Sequence, residues 1–212
     1  MKGRPRPGAR ARKRDAITTA ARSVFARDGY SRASIEAIAG RADVSTRTIY
    51  NHFESKEQLF AAVLEASAAQ VADTFVATVE RELGGTDVTD DMVALGLALL
   101  SARARFPEHF AMVRQINAET RHFPHATIDA WQNVGPRRIE EAVAQRLAQL
   151  AERGWLHIEQ PRRAAAHFIA ITAAEITGTS SRHFPRPSAA DLREQVEAGV
   201  DAFINGYGTG GR

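Results

Sequence analysis

The sequence predicts an all-α fold of about nine helices, with a small N-terminal helix-turn-helix domain joined to a larger helical one. Three observations lead there. Apolar residues recur with a period near 3.6 along almost the whole chain, and no stretch alternates with the period of two that a strand requires. Helix-start residues and Gly or Pro breaks punctuate that pattern at regular intervals. Positive charge is concentrated where the first three helices are shortest: residues 1–60 hold 13 Lys/Arg against 6 Asp/Glu, whereas the whole chain carries a net charge of only +3.

A first helix is predicted from about Arg12 to Arg27, with Ile17, Ala20, Ala21, Val24 and Phe25 on one face and Gly29 as its stop. Ser34 is the N-cap of a second, whose Ile35, Ile38, Ala39 and Ala42 point inward. A tight break at Asp43 and Val44 follows, then a third helix from Ser45, with Val44 and Ile49 at the spacing of a hydrophobic staple. Ser55 and Gln58 have capping-box spacing and open a fourth helix that runs to Leu83, roughly 42 Å at 1.5 Å per residue. Further helices are expected from Thr89 to Arg105, from Pro107 to His122, and from Pro124 to Gly154 with a break at Gly135-Pro136. The last two run from Pro161 to Thr177 and from Ser188 to Ile204. The organisation predicted is a disordered basic tail over residues 1–11, a helix-turn-helix domain over 12–55 and a ligand-binding and dimerisation domain over 56–207, with loose ends at both termini.

Composition narrows the function classes. With 44% hydrophobic and 25% charged residues in 212, this is a globular composition. No apolar run approaches the ~18–20 uncharged residues of a membrane span, and the basic N-terminus has no apolar segment after it that would make a secretory signal. A cytoplasmic protein without membrane association is expected. There are no cysteines, so disulfides, thiolate metal sites and thiol chemistry are excluded. No Gly-rich phosphate loop, nucleophile elbow or paired-carboxylate motif is present, so the chain is not expected to be an enzyme, nor to need a cofactor.

Three short helices, a tight break between the second and third, and surplus positive charge read as a helix-turn-helix that binds double-stranded DNA. At 100° per residue Ile49 and Phe53 share one side of the third helix, Arg47 and Asn51 face nearly opposite, and Thr48, Tyr50 and His52 lie between. Arg pairs bidentately with guanine and Asn with adenine, which makes Arg47 and Asn51 the candidates for base contact. Thr46, Thr48, Tyr50 and His52, together with the capping hydroxyls of Ser34 and Ser45, suit the flanking backbone. Lys56 and the amides at the start of the fourth helix form a further phosphate site. The tail, with seven Lys/Arg in its first 14 residues, reads either as a DNA-contacting arm or as a solubilising segment.

The stretch "SIEAIAGRADVSTRTIYNHFESKEQLF", Ser34 to Phe60, resembles the helix-turn-helix and fourth-helix start of the TetR/AcrR transcriptional regulators. Similarity to that family implies a two-domain all-α homodimer that binds a palindromic operator and responds to a small-molecule effector. It also implies phosphate-contact roles for Tyr50, His52 and Lys56 and a recognition surface of Thr46, Arg47, Thr48 and Asn51. Two residues depart from the family pattern: Asp43 stands where the turn usually has Gly, and Arg47 where Gly is common. "RQINAETRHFP", Arg114 to Pro124, resembles the corresponding stretch of AefR-like C-terminal domains.

A ligand pocket needs apolar walls and a few polar groups. Candidate lining residues are Phe106, Phe110, Val113, Asn117, Trp131, Phe168, Thr172 and Glu175. Phe168, Ile169, Ile176, Leu192, Val196, Val200 and Phe203 are candidates for a dimer seam between the last helices of two chains, where Ala164, Ala165 and Ala173 permit close approach. Two other readings stay open: a constitutive DNA-binding protein with no ligand, and a helical metal-binding protein using the Glu-x-x-His pair Glu119 and His122 with His109, His125 or His167 nearby.

Overall fold

The computed structural model describes residues 7–82, 84, 87–119, 123–178 and 188–208. In chain order the helices are α1 (Pro7–Asp28), α2 (Ile35–Ala42), α3 (Thr46–Tyr50), α4 (Lys56–Glu82), α5 (Val88–Arg105), α6 (Pro107–Glu119), α7 (His125–Val134), α8 (Pro136–Glu152), α9 (Pro161–Gly178) and α10 (Ala189–Tyr207). The all-α prediction holds among the described residues. The expected break at Gly135-Pro136 divides one predicted helix into α7 and α8. A Cβ on Gly135 would lie 2.7 Å from that of Ala68 on α4, so a side chain there would collide with α4.

Two compact units result. The first comprises Met1–Gln70 and Phe106–Gly135, the second Val71–Arg105 and Pro136–Arg212. Packing therefore divides the chain differently from the 55/56 boundary expected from sequence. The reason lies in the apolar faces of α6 and α7 and in Phe123 just before α7: Met112, Ile116, Phe123 and Trp131 share a core with Ile17, Val24, Phe25, Ile38, Ile49, Phe53, Phe60 and Leu64. The second unit closes around Phe75, Met92, Leu95, Leu147, Leu150, Phe168, Val200 and Phe203. By length and composition alone α4 is apolar enough to cross a bilayer, but Glu65 and Asp73 interrupt it, as the sequence reading held, and half of it is buried, as in a core helix. Leu59, Phe60, Val63 and Leu64 serve the first core and Phe75 the second.

Several boundaries move. α1 begins at Pro7, so the described part of the supposed disordered tail is helical; Pro suits a first helical position, and Ala and Arg are good helix formers. Residues 1–6 lie outside the described part. α5 is capped by Asp87 rather than opened by Thr89, since the Asp87 carboxylate accepts from the Thr89 and Asp90 amides at 2.8 and 3.0 Å. At the C-terminus Tyr207 and Gly208 are held, not loose: the His157 amide donates to the Tyr207 carbonyl at 2.7 Å, and the Tyr207 ring stacks on Phe203 with centroids 4.5 Å apart.

Within the first unit α6 is fastened to the helix-turn-helix. Gly29, at φ 86°, turns the chain out of α1. The Gln115 side chain of α6 reads both sides of that turn, accepting from the Tyr30 amide at 3.2 Å and donating to the Phe25 carbonyl at 3.1 Å. Arg22 on α1 and Glu108 on α6 add an ion pair at 2.9 Å. Tyr30, Phe60 and Phe123 form an aromatic group beneath it.

Candidate nucleic-acid interface

The Ser34 hydroxyl accepts from the Ala37 amide at 3.1 Å and caps α2. α2 ends at Asp43, the residue that departs from the family pattern, in the left-handed region at φ 51° and ψ 49°. Asp reaches that region less readily than Gly. Replacing Asp43 with Gly should raise unfolding free energy by up to about 1 kcal/mol and strengthen DNA binding at low salt, since a carboxylate leaves the basic unit. Urea unfolding and fluorescence anisotropy check this; a less stable variant would contradict the reading.

Ser45 caps α3 in the same manner, accepting from the Thr48 amide at 3.2 Å, and its hydroxyl also meets that of Thr48 at 2.9 Å. The Ser34 hydroxyl keeps a proton that can be donated outward, and either Ser45 or Thr48 donates in their hydroxyl pair, leaving the other's proton for an outside acceptor. The helical turn continues past Tyr50, because the amides of Asn51, His52 and Phe53 find the carbonyls of Arg47 and Ile49 at 2.9–3.0 Å. Ile49 and Phe53 are thereby sunk in the core while Ser45, Arg47, Tyr50 and Asn51 stay exposed and Thr46, Thr48 and His52 are half-buried. Tyr50, at 54% exposure, is a large aromatic side chain left in water one residue from a buried Ile. Of the candidate residues, Thr46, Arg47, Thr48 and Tyr50 lie on α3 and Ser45 and Asn51 cap it, whereas Ser34 caps α2, His52 follows α3 and Lys56 opens α4.

Lys56 sits differently from its neighbours. Its ammonium donates to the Ser31 carbonyl at 3.3 Å and lies 4.8 Å from the centre of the Tyr30 ring, so it fastens the α1–α2 turn to the start of α4. At that start the Ser55 hydroxyl accepts from the Gln58 amide at 3.1 Å and the Gln58 side chain from the Glu54 amide at 2.7 Å. His52 is held below the ordinary imidazole value by burial and then by the positive charges of Arg10, Arg14 and Lys13. Those three α1 residues were not among the site candidates; their spacing of three and four was the signal available in the sequence.

The candidate lining residues fall into two groups. Phe106, Phe110 and Val113 are half-buried, Asn117 is exposed and Trp131 is buried in the first unit. Phe168 and Thr172 belong to the core of the second, where Phe168 meets Phe203 edge-on at 5.4 Å and the Thr172 hydroxyl donates to the Phe168 carbonyl at 2.7 Å. The Glu175 side chain lies outside the described part. A buried polar pair went unnoticed as such: His109 Nδ1 on α6 and the Ser67 hydroxyl on α4 are 2.8 Å apart, with Ser67 donating to the Leu64 carbonyl at 2.9 Å. Nδ1 therefore carries the proton that Ser67 accepts. Burial lowers the His109 imidazole to about 4.

For the metal reading, His109 is engaged with Ser67, and His167 belongs to the second unit, where it meets the Tyr207 hydroxyl at 2.8 Å. Among the described residues no three His, Cys, Asp or Glu gather. The Glu119 side chain and His122 lie outside them.

Arg47→Ala is expected to cost about 1–3 kcal/mol of DNA affinity and to relax preference at one base pair. Anisotropy against a set of singly substituted duplexes measures it; equal loss on every sequence would remove Arg47 from base reading.

Comparison with known proteins agrees with this arrangement. Residues 17–63 match the family described as bacterial regulatory proteins, tetR family, and residues 90–209 match the AefR-like transcriptional repressor C-terminal domain. The HTH-type transcriptional regulator UidR of Escherichia coli K12 is 30% identical over 141 residues, 66% of this chain and 67% of UidR. The HTH-type transcriptional activator FasR of Mycolicibacterium smegmatis is 31% identical over 131 residues, 62% of this chain and 57% of FasR. A crystal structure from Mesorhizobium loti MAFF303099, assigned to the TetR family of transcriptional regulators, superposes with a TM-score of 0.85 at 28% identity, covering 94% of this chain and 98% of the other. With a DNA-binding unit of this geometry at one end and a C-terminal match over more than half its length, the chain belongs to the TetR family of DNA-binding transcriptional regulators.

Proposed function

We propose that the protein is a cytoplasmic, ligand-responsive repressor that binds a palindromic operator as a homodimer and leaves it when a small molecule binds. The observation that carries the DNA-reading part is α3: a five-residue helix with Ile49 anchored in the core and Arg47, Tyr50 and Asn51 facing water. Ser34, Ser45, Thr46, Thr48, Tyr50 and His52 supply the backbone contacts around the base-reading pair Arg47 and Asn51, and Lys56 orients the turn beside them. Repression is favoured by the AefR-like repressor match over residues 90–209.

Of the seam residues first expected, Ile169 and Leu192 are half-buried, the Ile176 side chain lies outside the described part, and the others are taken up inside the chain. Ala164, Ala165, Phe168, Val196, Val200 and Phe203 are buried within one chain, packing α9 on α10 and α5. The exposed faces of those helices instead carry Ala166, Ala170 and Ile171 on α9 and Ala198 and Ala202 on α10. Small residues there let a second copy approach closely, and the two α3 helices of a dimer must lie about 34–36 Å apart to enter successive major grooves. An effector that favours another spacing lowers affinity without touching α3. A screen for small molecules that both raise the melting temperature and weaken operator binding tests this. If two chains bind each palindrome but no compound does both, ligand response fails while DNA binding stands.

A further inference from the structure

The apolar stripe of α1 changes character along its length. Val24, Ala20, Ala21 and Ile17 are buried on one face. Stepping back by three and four residues along the same face gives Lys13 and Arg14, then Arg10, all exposed. Between Gly8 and Arg14 there is no carboxylate, and the first turn of α1 has none either. A face that packs on protein for about two turns thus continues as a ridge of cations.

That ridge is directed at the end of α3. The Arg14 guanidinium lies 4.6 Å from the centre of the Phe53 ring, next in sequence to His52. The His52 imidazole is lowered first by burial and then by the positive charges of Arg10, Arg14 and Lys13. Arg12 does not join them, since its Nε turns back to the Gly8 carbonyl at 3.2 Å. Like charges gathered this closely repel one another, and cations near a helix N-terminus also oppose its dipole. Both costs fall when an anion sits among them.

We infer that Arg10, Lys13 and Arg14 of α1, with His52 at the end of α3, form a clamp for a DNA backbone phosphodiester, separate from the base-reading pair Arg47 and Asn51. Every cation of the clamp lies on a folded helix, so it holds a fixed position relative to α3 and adds affinity without sequence preference. This rests on the DNA-binding reading above. It also extends the contact surface to α1, whose Arg10 the sequence had assigned to a disordered tail and whose Lys13 and Arg14 it had placed at the start of the first helix.

The test uses the full chain and the double variant Arg10→Gln/Lys13→Gln, which leaves Arg14 on Phe53. Affinity for a selected operator and for a random-sequence duplex is measured by anisotropy over a range of salt. The double variant should lower the slope of log affinity against log salt by about two per chain, equally on both duplexes, with the operator-to-random ratio unchanged. The variant Arg10→Lys/Lys13→Arg should keep the parental slope. An unchanged slope in a folded double variant overturns the clamp and leaves the DNA-binding reading intact; a parental chain that binds neither duplex overturns both.

Discussion

Arg146→Ala is expected to lower the unfolding free energy by about 3–5 kcal/mol. Arg146 on α8 and Asp91 on α5 pair inside the second unit, 7% and 4% exposed. Arg146 also donates to the Gln149 side chain at 3.0 Å, and the Gly84 amide reaches Asp91 at 3.4 Å. Removing either partner leaves a charge buried among Leu and Val with no water to solvate it. The pair is not thereby a large net source of stability, because desolvating two ions offsets most of their attraction, and the buried Arg146 Nε has no hydrogen-bond partner. The combined change Asp91→Leu/Arg146→Met should therefore return most of the lost stability. Urea unfolding followed by circular dichroism decides the matter. Single variants that each lose less than about 1 kcal/mol would mean that water reaches the pair.

His109 should make the protein acid-labile over a defined window. Its imidazole is at about 4 in the folded chain and returns to about 6.5 on unfolding. Between those values the unfolded chain binds a proton that the folded chain does not, so stability falls as pH drops. The contribution is complete above about pH 6.5 and is lost progressively toward pH 4, on the order of 3 kcal/mol in all. His109→Gln removes the titrating group. Between pH 7.5 and 4.5 the parental chain should lose on the order of 2–3 kcal/mol more than the variant; parallel losses would place the imidazole in contact with solvent. Because His109 sits on α6, in the unit that carries α3, acid release of DNA should follow the same window.

The fold class and the short third helix were legible in the sequence because both depend on local rules. Ser34 and Ser45 cap, Gly29 and Gly135 break, and Ile49 and Phe53 share a face, whatever lies beyond them. Domain division was not legible, since it depends on which distant apolar faces meet. Nothing near Met112, Ile116 or Trp131 says that these residues join Ile17 and Phe53 rather than Leu147. Phe168 and Thr172 looked like lining residues for the same reason: an aromatic ring and a hydroxyl on one helical face suit a pocket wall or a core equally, and here Phe203 takes the ring and a backbone carbonyl the hydroxyl. The start of α1 was missed because a run of Arg with Pro and Gly resembles a loose tail, although Ala9, Arg10 and Ala11 each favour a helix.

Selection of bound duplexes from a random pool, run in parallel on the parental chain and on Arg47→Ala, tests the central claim that α3 reads DNA for a homodimeric regulator. The account predicts a palindrome whose half-sites are centred one helical turn apart, about 10 base pairs, with the variant losing preference at one position in each half. A pool in which neither chain enriches a sequence, or one in which both enrich the same sequence to the same depth, would contradict it.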